Sequence, residues 1–264
     1  MGAAGAKAGA AMAGAGAALG GAMANIAGGP AKISHEGPGF PFKDLIMGGL
    51  GVVKSNLIPS VLVNVGMILG SIVGGVAGLL LGLGVPGAGI VAMIGGLLAL
   101  LGSLAGLVFA PNYVRGVMEY QASGTNLSIG TLLKFDKVVR HLICLIIGGI
   151  GGIPLGLMAF AFYIMLENDE VGPGDALKAA LAYAKRNIVP MILLMVVLGV
   201  VMVIPMVIGG VLGVIPKVGG LLSGLVTAAV FAVIAPSIGV AHYLAYDLKR
   251  AEIKAVAAED GIQI

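Results

Sequence analysis

The sequence predicts an all-α, polytopic transmembrane protein of about five Gly-rich spans, with interfacial amphipathic helices and two internal repeats. Three observations carry that prediction. Of 264 residues, 59% are hydrophobic and only 10% charged, against about 25% charged in an ordinary soluble domain. Long apolar runs recur, each near the ~20 residues that cross a bilayer as a helix. Gly occurs 46 times, costly in a soluble helix but suited to close packing between membrane helices.

The net charge of +3 is too mild to argue for a nucleic-acid partner. The expected partners are the lipid bilayer and further copies of the chain, in a homo-oligomer. Cys144 is the single cysteine, so no disulfide can form within one chain. Without Trp, an aromatic belt must come from Tyr113, Tyr120, Tyr163, Tyr183, Tyr243 and Tyr246, which lie at or near the ends of apolar runs.

Residues 1–30 form a Gly/Ala-rich N-terminal segment with Lys7 its only charge. It lacks the basic start and Leu-rich centre of a signal peptide. Two readings stand: a low-complexity tail, or a small-faced helix that orders against other helices. Residues 31–122 read as a first membrane repeat. It opens on a Pro/Gly linker and an amphipathic helix from Phe42 to Asn56. A span then runs from Leu57 to Leu83, with Asn56 as cap and Pro59 in its first turn. Gly66, Gly70, Gly74, Gly78 and Gly82 recur in it at every fourth position. After a turn at Gly84-Val85-Pro86-Gly87, a second span covers Ala88 to Ala110. Its small rows include Gly102 and Gly106.

Residues 123–171 read as an interfacial helix, Ser128 to Arg140, plus a central apolar segment, Leu142 to Leu166. Gly148, Gly152 and Pro154 lie in that segment, so it either crosses once or re-enters; five crossings is the expected count. An acidic loop, Glu167 to Asp175, follows and reads as a solvated connection. Residues 172–247 read as a second membrane repeat: an amphipathic helix from Asp175 to Asn187, a span from Ile188 to Gly213 with Pro205 inside it, a turn, and a span from Gly220 to Tyr246. Gly220 and Gly224 begin another four-residue row. Residues 248–264 are a polar tail.

The repeat rests on a constant offset. Asp44, Leu50, Lys54, Asn56 and Pro59 reappear as Asp175, Leu181, Lys185, Asn187 and Pro190. Each unit ends on Ala-Pro (Ala110-Pro111, Ala235-Pro236) with a Tyr beyond it. Pseudo-symmetric halves of this kind are common in transporter folds.

Asp175-Ala176-Leu177-Lys178-Ala179-Ala180, running through Lys185-Arg186-Asn187 into an apolar span, is one half of a pattern. Ala235-Pro236 followed by Tyr243 and Tyr246 is the other. Together they resemble a group of bacterial membrane proteins related to the membrane domain of glycerophosphodiester phosphodiesterases. The likeness covers residues 172–247 well and the first unit more loosely. It implies fold and location, in a bacterial cytoplasmic (inner) membrane. No phosphodiesterase catalytic domain accompanies it, so it implies no activity.

Nothing in the chain gathers the groups that catalysis needs. His35, His141 and His242 have no metal-site spacing, no Gly-rich run continues as a phosphate loop, and the apolar runs hold no charge at their centres, where coupled ion pumps place one. No enzyme activity, cofactor or metal is expected. The candidate residues are those of helix packing: Gly66, Gly70, Gly74, Gly78, Gly82, Gly102, Gly106, Gly148, Gly152, Gly220 and Gly224. Asn64 is added as an interhelical polar contact. The leading reading is a non-enzymatic integral membrane protein that self-associates through small-residue helix faces, in a structural, pore-forming or membrane-organising role. The alternative is a small transporter or permease for a neutral or lipid-like solute.

Overall fold

The computed structural model describes residues 29–35, 37, 39–134, 137, 139–140, 142–144, 146 and 159–264. Among them the chain is helical, with no strand. In order these are α1 (Phe42–Ser55), α2 (Leu57–Val63), α3 (Val65–Gly82), α4 (Ala88–Ser123), α5 (Ile129–Leu132), α6 (Ala161–Glu167), α7 (Pro173–Arg186), α8 (Ile188–Gly213), α9 (Gly219–Ala229) and α10 (Ala235–Glu259). A π-helical turn, Val230–Ile234, joins α9 to α10 without a break. It ends two residues before Pro236, whose ring and missing N–H a regular α-turn accommodates poorly.

Four of these helices are long and apolar enough to cross a membrane: α3, α4, α8 and the continuous α9–α10. The fifth candidate is not the expected one. It is the pair α1 and α2, which pass the length and composition test only together and are bent by 100° at Asn56. The expected span from Leu142 to Leu166 lies partly outside the described residues, with Gly148 and Gly152 among those not described. Its last turns are α6, where Ala161, Ile164 and Met165 are buried in the protein. Large aliphatic side chains cover the lateral surface of the spans: Met93 is 75% exposed and Ile90 66%. A contiguous surface of that kind needs lipid or protein against it.

Several element boundaries differ from the sequence reading, each for a local reason. Asn64 interrupts the expected span Leu57 to Leu83, and its own N–H turns back to the carbonyl of Val61 at 3.1 Å. The second span runs on through Pro111 to Ser123, where Gly124 closes it at φ 74°. Of the expected helix from Ser128 to Arg140, residues 135, 136 and 138 lie outside the described residues, while Ile129–Leu132 form α5 and the chain turns at Leu133 and Lys134. There Asn112 of α4 donates its side-chain N–H groups to the carbonyls of Leu132 (3.0 Å) and Lys134 (2.7 Å), holding the chain in a turn. α1 is amphipathic as expected, but its apolar side is turned into protein. A methyl carbon on Gly49 would fall 2.2 Å from the Ser237 carbonyl of α10, while Lys43 and Lys54 stay exposed.

The ends of α1 and α7 match closely. Asn56 sits at φ −123°, ψ 42° and Asn187 at φ −126°, ψ 38°. Each is buried, and each side chain donates to the carbonyl four residues back, Val52 at 3.0 Å and Tyr183 at 3.3 Å.

Both helical hairpins point the same way. A methyl carbon on Gly82, at the end of α3, would lie 2.8 Å from Cα of Lys217 in the turn between α8 and α9. At the opposite end α4 and α10 extend past their apolar stretches. There they meet α6, α7 and the linker before α1, around a core that includes Phe160, Tyr163, Tyr183, Tyr246 and His242. This is the charged end: of the described Lys, Arg, Asp and Glu residues, only Lys217 lies in a hairpin turn.

Candidate functional site

Most of the described glycine-row positions pack within the subunit. A methyl carbon on Gly66 would lie 2.0 Å from Cα of Gly102, and one on Gly102 would lie 2.2 Å from Cα of Gly66. Gly70 faces Ala99 and the Gly95 carbonyl of the same helix, α4. Farther along α3 the partner changes to α9: Gly75 meets Gly224 and Gly78 meets Gly220. Gly106 has ordinary van der Waals space beside the Val63 carbonyl, and Gly74 has nothing within 4 Å. Gly75, which faces these contacts, falls outside the every-fourth rows; Gly95 lies in one, with Ala99 and Ser103, but neither glycine was among the expected packing residues. Among the described residues no side-chain hydrogen bond joins Asn64 to another helix; Asn64 lines a cavity instead.

That cavity lies between α4 and α10, which both leave a hairpin tip and therefore run in the same direction. It has a volume of about 200 Å³ and an almost wholly apolar lining. α4 supplies Ala110, Tyr113, Val114 and Val117; α10 supplies Ala235, Pro236, Gly239, Val240 and Tyr243; Val63 and Asn64 form its floor. One helical turn toward the charged end, the same two faces line a second cavity of about 590 Å³. Here α4 contributes Arg115, Met118, Glu119 and Gln121, and α10 contributes Tyr243, Tyr246, Asp247 and Arg250. Pro30, Ala31, Lys32 and Glu167 complete it. Tyr243 belongs to both linings. The helical repeat explains the continuity: positions 236, 239/240, 243, 246/247 and 250 fall on one face of α10, as 110, 113/114, 117/118 and 121 do on α4.

Two carboxylates bind the loop after α6 to the ends of these helices. Asp169 meets Arg115 of α4 at 3.5 Å and Arg140 at 3.2 Å, and it also accepts from Lys137. Arg140 in turn donates to the carbonyls of Met165 (2.8 Å) and Asn168 (2.7 Å). Glu167 accepts from the Tyr246 hydroxyl at 2.5 Å, from Arg250 at 3.1 Å and from Lys254 at 3.3 Å, all on α10. The Lys137 hydrogen bond lowers the Asp169 pKa, assisted by the Arg115 and Arg140 charges and opposed by slight burial. For Glu167, burial pushes the pKa up, but the Tyr246 hydroxyl and the charges of Arg250 and Lys254 outweigh it, so the net shift is downward. The acidic loop is thus an ion-paired strap between α4 and α10 as well as a partly solvated connection, with Asp169 and Glu170 exposed. Its charges gave no such signal in sequence, because their partners are about 30 to 90 residues away.

His242 is half-buried against Phe160 and Tyr163. Its Nδ1 lies 3.0 Å from the Tyr163 hydroxyl, and its Nε2 has no partner among the described residues. His141 lies outside the described residues. Among the described residues no three His, Cys, Asp or Glu side chains are gathered where a metal could be held. Compared with known proteins, the chain matches no family model, no curated protein and no solved structure.

Proposed function

We propose that this chain is a non-enzymatic integral membrane protein of a bacterial cytoplasmic membrane that holds and passes a lipid-like amphiphile in the groove between α4 and α10. The observation that carries this reading is the meeting of an apolar and a charged cavity at Tyr243. An amphiphile needs both environments in that order along the membrane normal, and a neutral polar solute or an ion needs neither the apolar half nor its depth. The repeat supports the same reading. Asn56 and Asn187 share a backbone geometry, and Ala110-Pro111 and Ala235-Pro236 stand across the groove from one another, so the site falls between two related units, as in many transporters. The Lys and Arg residues of the charged end favour its placement on the cytoplasmic side.

The test is lipid movement in liposomes. Tail-labelled phospholipid should become accessible to a membrane-impermeant quencher faster with the protein than without it. Gly239→Leu should slow this, because its side chain would enter the apolar cavity while its Cβ meets no atom within 4 Å. Flux equal to that of protein-free liposomes would sink the reading.

A second reading, self-association in a structural, pore-forming or membrane-organising role, is supported by one other feature. Most of the glycine rows are closed within the subunit, but Ser71, Gly74, Gly75, Ser223, Gly224 and Thr227 line an open hollow of about 350 Å³ on the flank of α3 and α9. A helix of a second copy would find small residues there. Gly74→Leu should reduce the oligomer seen by native mass spectrometry in mild detergent; an unchanged mass distribution would count against this interface.

A further inference from the structure

We infer that the head group held in the charged cavity is zwitterionic, a phosphate joined to an ammonium, carried by a phospholipid. This rests on the reading of the α4–α10 groove as an amphiphile site. The cavity brings three cations, Lys32, Arg115 and Arg250, together with three carboxylates, Glu119, Glu167 and Asp247. Their formal charges cancel, so the cavity has no net preference for an anion.

Most of these charges are already matched by protein. Arg250 lies 3.1 Å from Glu167 and 3.4 Å from Asp247, and Arg115 lies 3.5 Å from Asp169. Two are not: among the described residues, neither Lys32 nor Glu119 has an ion-pair partner. They are of opposite sign and stand on different walls, Lys32 on the linker and Glu119 on α4. One lone cation and one lone carboxylate facing the same space suit a ligand that carries both signs. The phosphate then falls to Lys32 and the ammonium to Glu119. The apolar cavity beyond Tyr243 receives the upper part of an acyl chain, which ties the head group to a lipid rather than to a soluble phosphoamine.

The full-length protein, purified in mild detergent, is offered equal amounts of phosphatidylethanolamine, phosphatidylglycerol and diacylglycerol with the same chains, and bound lipid is read by native mass spectrometry. The wild type should retain phosphatidylethanolamine about tenfold over phosphatidylglycerol, the size of one charge-assisted hydrogen bond. Glu119→Gln should bring the two phospholipids level, and Lys32→Gln should weaken both relative to diacylglycerol. Both side chains are exposed, so an unchanged melting temperature is expected and checks the fold. Phosphatidylglycerol retained as well as phosphatidylethanolamine by the wild type, or a ratio unmoved by Glu119→Gln, overturns the head-group assignment while leaving the groove as a lipid site. Retention of none of the three, diacylglycerol included, overturns the groove reading itself.

Discussion

At Gly66 there is no room for a side chain of any size. The atoms its methyl carbon would meet, Cα and N of Gly102 and the Leu98 carbonyl, all belong to the backbone of α4. No rotamer change can relieve that overlap, so Gly66→Leu must push two helices apart. Overpacking of this kind costs about 1–3 kcal/mol, and more where backbone must move. Gly96→Leu, on α4 with nothing within 4 Å of its Cβ, is the control and should stay within about 0.5 kcal/mol of wild type. Reversible unfolding in a mixed-micelle titration compares the two; equal midpoints would mean that α3 and α4 do not pack as described. The four-residue row was plain in sequence, and so was its tendency to wind. A step of four residues overshoots the 3.6-residue turn by about 40°, so the row drifts around α3. The identity of its partners was not legible. The drift carries the contact from Gly102 and Ala99 on α4 to Gly220 on α9, and nothing in a single helix says which neighbour stands on which side.

Among the elements, the loop after α6 has the most to lose on acidification. Both Asp169 and Glu167 are shifted downward in the fold. A carboxylate with a lowered pKa stabilises the fold above its unfolded pKa, and that contribution is lost as pH falls through the folded value. Ordinary Asp and Glu titrate near pH 4. The strap between α4 and α10 should therefore hold unchanged from about pH 7 to pH 5 and loosen below about pH 4. Asp169 is 45% exposed, so solvent screening keeps each of its pairs to about 1 kcal/mol or less. Thermal melts at pH 7, 5 and 3 should show the midpoint falling only at the last step, and falling less in Asp169→Asn. A variant that follows the wild-type curve at every pH would show that the strap contributes nothing. The hairpins, the amphipathic α1 and α7 and the Asn at the end of each were legible, because apolar periodicity and capping are local. The overrun of α4 through Pro111 was not. The residue reads as a stop, yet Asn112 and Tyr113 just beyond it are buried and bonded, to the turn after α5 and to Ser60 at 2.8 Å, and those contacts carry the helix on.

For the molecule as a whole, the sequence supplied the class and the pairing of spans into hairpins, while the direction of the two hairpins came from Gly82 beside Lys217. The groove between α4 and α10 was the least legible feature. Its two halves lie about 125 residues apart, and each alone looks like the polar end of a span. Only the parallel course of the two helices puts Arg115 and Glu119 opposite Asp247 and Arg250.

The two hairpin turns, residues 83–87 and 214–218, carry a consequence for biogenesis. The first holds no charge and the second only Lys217, and Leu83, Val85, Val214 and Ile215 stand exposed on them. A helical hairpin entering the bilayer from the charged side has to carry its turn across the hydrocarbon. Here that cargo is five residues each time, nearly without ionic groups to strip of water. Lys217 is the one real barrier, its left-handed φ of 69° fixing it at the very tip, where a long side chain reaches the far head groups soonest. With the charged end on the cytoplasmic side, as proposed, each pair of helices could enter the membrane as a unit with only these short turns to carry across.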